Sequence, residues 1–482
     1  MSVLFGLTMV VVMAATASER PLASEAAVKR SDAVISALPG AVEIVGRTPL
    51  RITLAEAMKE AHVPAVAIVV IRHGQVDWAR GFGLTRDGGE PVTSRTLFQA
   101  GSISKTIASV AALRLVQAGR LSLDTDVNAT LTGWKLPSNA FTSQKPVTLR
   151  ALLSHTAGTT VHGFPGYAAG TPFPTLEQVL DGRAPANSQP VVVDQTVGSA
   201  YRYSGGGYAV AQQLMIDVTH RPFADLVRQT VLEPAGMHDS TEAQPLDADR
   251  LAHVALPVDE QGTPIEGGPH VYPELAAAGL WTTADDLSRF AMTLRGAAIG
   301  EPNSVLSPAM MRAMMTTVKA DYALGLETGG SPRAPYIFHD GATAGYRATV
   351  FIYPGSGDGV VVLTNGNGGF AVIQKIVRAV AVVYGWPDRR PESRRAVTLP
   401  AKLLDGYVGT FTAQDFGEFV IRREGVQLVA EIEKGKRTLL YADSPTHFFG
   451  TNEPVKLQFD DTDKGSYVFD GYKGWFRRVT AR

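Results

Sequence analysis

A chain of 482 residues, 45% hydrophobic and 19% charged with a net charge of −1, is too long for one small domain. Its charge balance excludes long-range attraction to nucleic acid or an anionic membrane. It contains no cysteine, which excludes disulfides, thiolate-held metals and thiol nucleophiles, and its ten histidines include no H-x-x-x-H pair, so no metal or cofactor is expected.

The N-terminus reads "MSVLFGLTMVVVMAATASERPLASEAA". Its apolar run from Val3 to Ala15 is too short to span a bilayer comfortably, and Ala15-Thr16-Ala17 offers a small-x-small cleavage site. We expect residues 1–17 to form a secretory signal peptide, although its n-region lacks lysine and arginine. A misassigned start or a short membrane anchor is the alternative. A cysteine-free exported protein points to a bacterial periplasm or the medium, with no stable transmembrane span after signal removal.

Residues 63–85 hold two β-rich runs separated by His73-Gly74-Gln75, the pattern of a hairpin. Residues 97–124 then read "LFQAGSISKTIASVAALRLVQAGRLSLD". Apolar residues at Ile107, Val110, Ala111, Leu113 and Leu115 predict a helix running to Gln117, with Gly119 as its cap. Ser102 and Lys105 would share one face of its first turn. Unpaired N–H groups there suit a developing oxyanion, and a desolvated lysine can accept a proton from a serine. The spacing alone is weak evidence; a lysine snorkelling to water from an amphipathic helix gives the same pattern.

Residues 130–275 are rich in Gly, Pro and Thr with short helical patterns, as in a loop-rich helical subdomain. Within them, "AYRYSGGGYAVAQQL" (200–214) sets Tyr203 before a glycine-rich turn. A tyrosine of lowered pKa beside a lysine is a credible general base. A half-buried structural tyrosine fits the same text, and Tyr201 and Tyr208 compete for the role.

Strand patterns return over 334–366. In "FHDGATAGY" (338–346), Gly341 and Ala342 are small enough for close backbone approach, and an edge strand there could donate N–H groups to a substrate carbonyl. His339 is the adjacent polar group, or a strand-end histidine without a catalytic duty. A helix over 370–385 follows, so strands at both ends enclose helices, the pattern of an α+β or α/β sandwich whose sheet joins the chain ends. The Pro-, Arg- and Ser-rich stretch 386–402 reads as a linker. Seven short strand patterns beyond it, from "FVIRRE" to "WFRRV", predict a small antiparallel barrel.

Taken together, Ser102-Ile103-Ser104-Lys105, "LRALLSHTAG" (149–158), "YRYSGGGY" (201–208), "AAAGLWTTADDLSRF" (276–290), "YALGLE" (322–327) and "HDG" (339–341) resemble one family. Over residues 50–385 the chain resembles serine hydrolases related to class C β-lactamases. That group includes D-alanyl-D-alanine carboxypeptidases, D-aminopeptidases and β-lactamase-like esterases. The resemblance implies a β-lactamase/transpeptidase-like α+β fold over 48–386: an antiparallel sheet flanked by helices, with a helical subdomain. A linker over 387–400 and a lipocalin-like β-barrel over 401–482 would follow.

The resemblance further implies Ser102 as nucleophile, Lys105 as its proton partner and Tyr203 as the second-motif tyrosine. His339 and Gly341 match a third motif that is K-T-G or H-x-G in the family, at the substrate. The N–H groups of Ser102 and Ala342 would form the oxyanion hole, and His155 would be structural, in a turn away from the pocket lining. One position departs: the usual Tyr-x-Asn is Tyr203-Ser204-Gly205, so a carboxamide that binds a substrate amide is missing and glycine leaves space. The expected activity is hydrolysis of small esters, peptides or amides through an acyl-enzyme. A β-lactamase, or a penicillin-binding sensor that never turns over, is the alternative. The expected partner is a small-molecule or peptide substrate; the oligomeric state is left open.

Overall fold

The computed structural model describes residues 24–302, 304–414, 417–433, 436–469 and 472–479. The expected signal peptide, 1–17, lies outside the described residues. Among the described residues, no helix is long and apolar enough to cross a membrane.

Strand β1 (Ala65–Arg72) shows how the sheet sits. Ala65, Ala67, Val69 and Ile71 face one apolar core, and Val66, Ile68 and Val70 face the other. The two-residue period of a strand thus turns a continuous apolar run into two buried faces. His73 and Gly74, at φ 52° and 77°, make the left-handed pair of a two-residue hairpin into β2 (Gln75–Gly83). The remaining strands are β3 (Glu327–Ser331), β4 (Ala334–Thr343), β5 (Tyr346–Ile352) and β6 (Gly359–Thr364). The antiparallel order is β2-β1-β6-β5-β4-β3, so early and late chain meet where β1 pairs with β6. Strand β3 covers only Ala334–Phe338 of β4, leaving His339 to Thr343 with no strand on that side among the described residues.

On one face lie α1 (Ile103–Gln117), α2 (Gly205–Thr219), α3 (Leu275–Ala278) and α4 (Ala284–Ile299); α5 (Gly369–Val383) covers the other. Every residue of α1 from Ile103 to Leu113 is buried, so any polar group on its first turns is stripped of water. The helix stops at Gln117 and the chain turns away through Gly119 at φ 68°. Among the described residues, no strand lies between Gln99 and Trp281, in keeping with a helical subdomain.

The C-terminal strands close into an eight-stranded antiparallel barrel. Seven match the sequence patterns; the eighth, Gly409–Ala413, carries little apolar signal beyond Phe411. Phe411, Phe419, Phe448, Phe459 and Phe476 pack against one another inside, so side chains fill the barrel. The stretch 387–400, read as a linker, is built into a joint. Glu392–Arg394 pair in parallel with Val42–Ile44, and Val397 N–H donates to the Ala442 carbonyl at 2.8 Å. Ala41, Val42 and Ile44 pack on Phe449 of the barrel. The sheet domain and the barrel therefore share chain from before residue 48, ahead of the expected boundary.

Candidate active site

Ser102 is the N-cap of α1, with helical φ −63° and ψ −8°, following Gly101 at φ 53°. The left-handed turn at Gly101 goes with a very close neighbour. A Cβ on Gly101 would lie 2.6 Å from Ala342 N, and a Cβ on Gly341 would lie 1.8 Å from Ala100 O. The uncovered end of β4 thus runs backbone to backbone against the turn that carries Ser102. Small residues are needed on both sides of that contact.

Lys105 Nζ lies 3.0 Å from Ser102 Oγ and 2.8 Å from the Ala277 carbonyl oxygen of α3. It also faces the rings of Tyr203 and Tyr208, at 5.0 and 5.7 Å from their centroids. Burial, with no carboxylate among these partners, lowers its pKa from 10.5 to about 7. A lysine in this state is partly neutral near neutrality and can take a proton from a hydroxyl. Ser104, the other serine of the turn, is spent on structure: its Oγ donates to the Gly101 carbonyl and accepts from Leu280 N–H.

Tyr203 precedes α2, with Ser102 beside its hydroxyl. Its ring lies on the imidazoles of His155 and His162, with centroids 4.2 and 5.0 Å apart. Burial pushes the Tyr203 phenol well above its ordinary value. This corrects the lowered pKa expected from sequence: loss of water outweighs the neighbouring Ser102 hydroxyl, which acts in the lowering direction. Tyr203 is a protonated phenol at rest. Of its competitors, Tyr208 donates to the Leu153 carbonyl at 2.8 Å, and Tyr201 is more exposed, with its ring against His155.

His339 stands behind this group. Its Nδ1 lies 2.6 Å from the Asp340 carbonyl oxygen and must carry the proton, so Nε2 accepts from the Tyr322 hydroxyl at 3.0 Å. Burial, and then the charge of Lys105, lowers its pKa to about 3. With both nitrogens engaged and 2% exposure, the imidazole has no free donor or acceptor for the substrate contact expected from sequence.

His155 does occupy a turn, at φ 56°, but its ring also packs on Tyr201, Tyr203, Tyr208 and Tyr322. Its Nδ1 accepts the Ser204 N–H at 3.0 Å, so it backs Tyr203 directly. In the sequence, Tyr322 lies within the "YALGLE" run with no signal of its own, and Phe164 carries none. A Cβ on Gly205 would lie 3.0 Å from Phe164 Cε2, so the space expected at that glycine is occupied. Among the described residues, no cluster of three or more His, Asp or Glu could hold a metal.

An antiparallel sheet flanked by helices, with a serine-lysine-tyrosine cluster where a buried helix meets a sheet edge, defines the β-lactamase/transpeptidase-like class of fold. The chain belongs to the beta-lactamase family, whose family model matches residues 50–384. It is 30% identical over 323 residues to penicillin-binding protein 4 of Amycolatopsis lactamdurans, covering 64% of this chain and 82% of that one. It is 28% identical over 278 residues to esterase EstB of Burkholderia gladioli, covering 50% of this chain and 68% of that one. In fold it is similar to the octameric penicillin-binding protein homologue from Pyrococcus abyssi, with a TM-score of 0.59 at 21% identity over 88% of this chain and 98% of that one. The relatives mark the chain as a hydrolase of this family.

Proposed function

We propose that the protein is a serine hydrolase that forms an acyl-enzyme on Ser102 and acts on small esters, with peptides or amides as further substrates. The observation that carries this reading is the 3.0 Å contact between Ser102 Oγ and a buried lysine whose pKa is lowered to about 7. The substrate carbonyl oxygen would sit between the N–H groups of Ser102 and Ala342. As Oγ bonds to the carbonyl carbon, neutral Lys105 takes the serine proton. Tyr203 passes a proton to the leaving alcohol or amine as its bond to carbon breaks. Water then adds to the acyl-enzyme, gives a proton back through Lys105 and Tyr203, and releases the carboxylic acid and Ser102. His339, through Tyr322, and His155 act as positioning residues for this group.

A panel of p-nitrophenyl esters, D-amino acid p-nitroanilides and nitrocefin, each with a Ser102→Ala control, tests the reading. We expect turnover of short esters above nitrocefin, all of it Ser102-dependent. A fluorophosphonate adduct should map to the peptide holding Ser102; one on Ser104 or Ser154 overturns the assignment. The penicillin-binding relative favours one second reading, a site acylated by β-lactams without turnover. A stoichiometric burst on every substrate, with no steady state, would select it. We also propose export to a bacterial periplasm or the medium, which N-terminal sequencing of the mature protein beyond Ala17 would support.

A further inference from the structure

Gly205, Gly206 and Gly207 open α2, where glycine is a poor helix former, and all three face one loop. A Cβ on Gly205 would lie 3.0 Å from Phe164 Cε2 and 3.2 Å from His162 O. One on Gly206 would lie 2.6 Å from Thr160 O, and one on Gly207 3.0 Å from Thr159 Oγ1. Hydrogen bonds strap the loop down. Gly205 N–H donates to His162 O at 2.9 Å, Gly206 N–H to Val161 O at 3.0 Å, and Ser204 Oγ to Thr160 O at 2.7 Å. Val161 takes φ 63°, a left-handed conformation that is a genuine outlier for a β-branched residue. The strap ends beside the acylation group, where the His162 ring lies 5.0 Å from that of Tyr203. Phe164 itself is half-buried, packed on the larger core.

We infer that Phe164 is a specificity-determining residue of the acyl pocket, whose ring takes the place of a side chain at position 205 and selects apolar acyl groups over acyl groups that carry an amide. The inference rests on the acyl-enzyme reading for Ser102 and names the substrate class of that site. An amide pressed against the ring would lose its bonds to water and find no replacement. The backbone cannot substitute, because the first N–H groups of α2 are already spent: those of Gly205 and Gly206 on the strap, and that of Gly207 on Ser204 Oγ at 3.0 Å. An unsubstituted acyl chain gains apolar contact at the same spot.

The test uses the full-length enzyme and two esters with one leaving group, p-nitrophenyl butyrate and the p-nitrophenyl ester of N-acetylglycine. Phe164→Ala should raise KM for the butyrate roughly 5- to 10-fold through lost apolar contact. Gly205→Asn alone should slow both esters, because the ring holds the space. Phe164→Ala with Gly205→Asn should raise the N-acetylglycine-to-butyrate ratio of kcat/KM about 10-fold over Phe164→Ala alone, the value of one well-placed hydrogen bond. The double variant's change from wild type should exceed the product of the two single changes. If Phe164→Ala does not fold, Phe164→Leu keeps the core contact, removes the ring edge and replaces it in the same comparison. A ratio unmoved in the double variant, or equal to the product of the singles, overturns the inference while Ser102 dependence persists. So does a Phe164 variant that lowers kcat equally on both esters with KM unchanged, which would mark the ring as support for Tyr203. Activity that survives Ser102→Ala would instead overturn the acyl-enzyme reading itself.

Discussion

Lys105 donates to the Ala277 carbonyl oxygen at 2.8 Å, at a depth where its charge is poorly solvated. The carbonyl fixes the amine beside Ser102 without supplying the full negative charge that would hold its proton. Its pKa is lowered to about 7, and only the unprotonated amine can accept a proton, so activity should be gained as pH rises. We predict that kcat/KM for p-nitrophenyl butyrate climbs through about pH 7 and levels off above about pH 8. A rate profile that is flat between about pH 6 and about pH 8 would remove Lys105 from the acceptor role.

Lys105→Ala and Tyr203→Phe should each lower kcat by roughly 10²–10⁴-fold, the usual value of a proton-transfer partner. The double variant should be little worse than either single if the two groups serve the proposed relay. Single-turnover kinetics on the three variants would check this. Near-normal kcat in Tyr203→Phe would mean that Tyr203 passes no proton in the reaction.

The contact between β4 and the Ser102 turn makes a separate prediction. A Cβ on Gly341 would meet Ala100 O at 1.8 Å, so Gly341→Ala must push the strand edge away from Ser102. We expect kcat on esters to fall roughly 100-fold, as misplacements on the ångström scale can do, with a smaller change in KM. Wild-type kcat in folded Gly341→Ala would show that the Ala342 N–H is not an oxyanion donor.

Glu274 offers a stability test. It is fully buried just before α3, and apart from its own N–H no described group bonds its carboxyl oxygens. Burial raises its pKa from 4.5 to about 7. The folded state therefore holds the proton more tightly than the unfolded chain does, and stability is lost as pH rises from the unfolded value through the folded one. Glu274→Gln removes that loss. Its stability relative to wild type should increase by up to about 3 kcal/mol between about pH 4.5 and about pH 8.5. Urea melts of both proteins at the two pH values would measure it, and a difference that does not change with pH would sink the idea.

The sheet, α1 and the barrel were legible because their signals are local: alternation in β1, helical spacing after Ile103, and short strands between turns. Ser102 and Lys105 were legible for the same reason, being three residues apart on one helix. What escaped depends on contacts distant in the chain. His339 meets Tyr322 across 17 residues, and Phe164 reaches Gly205 across a loop with no periodicity. The joint over 392–394 was hidden by composition, since Pro and Arg mark a linker whether or not a short strand lies inside it. The raised pKa of Tyr203 is illegible in a sequence, which shows a neighbouring cation but not the loss of water.

The pairing of Val42–Ile44 with Glu392–Arg394 changes what a truncation would measure. Cutting the chain after residue 386 would remove more than an appendage. It would strip the partner from an early strand and lay open Ala41, Val42 and Ile44, which otherwise rest on Phe449. A fragment without the barrel is a hydrolase with a torn seam, and its solubility and melting temperature would fall for that reason alone. Substitutions that loosen the seam while keeping the barrel attached, such as Phe449→Ser, are the matched control for any activity such a fragment loses.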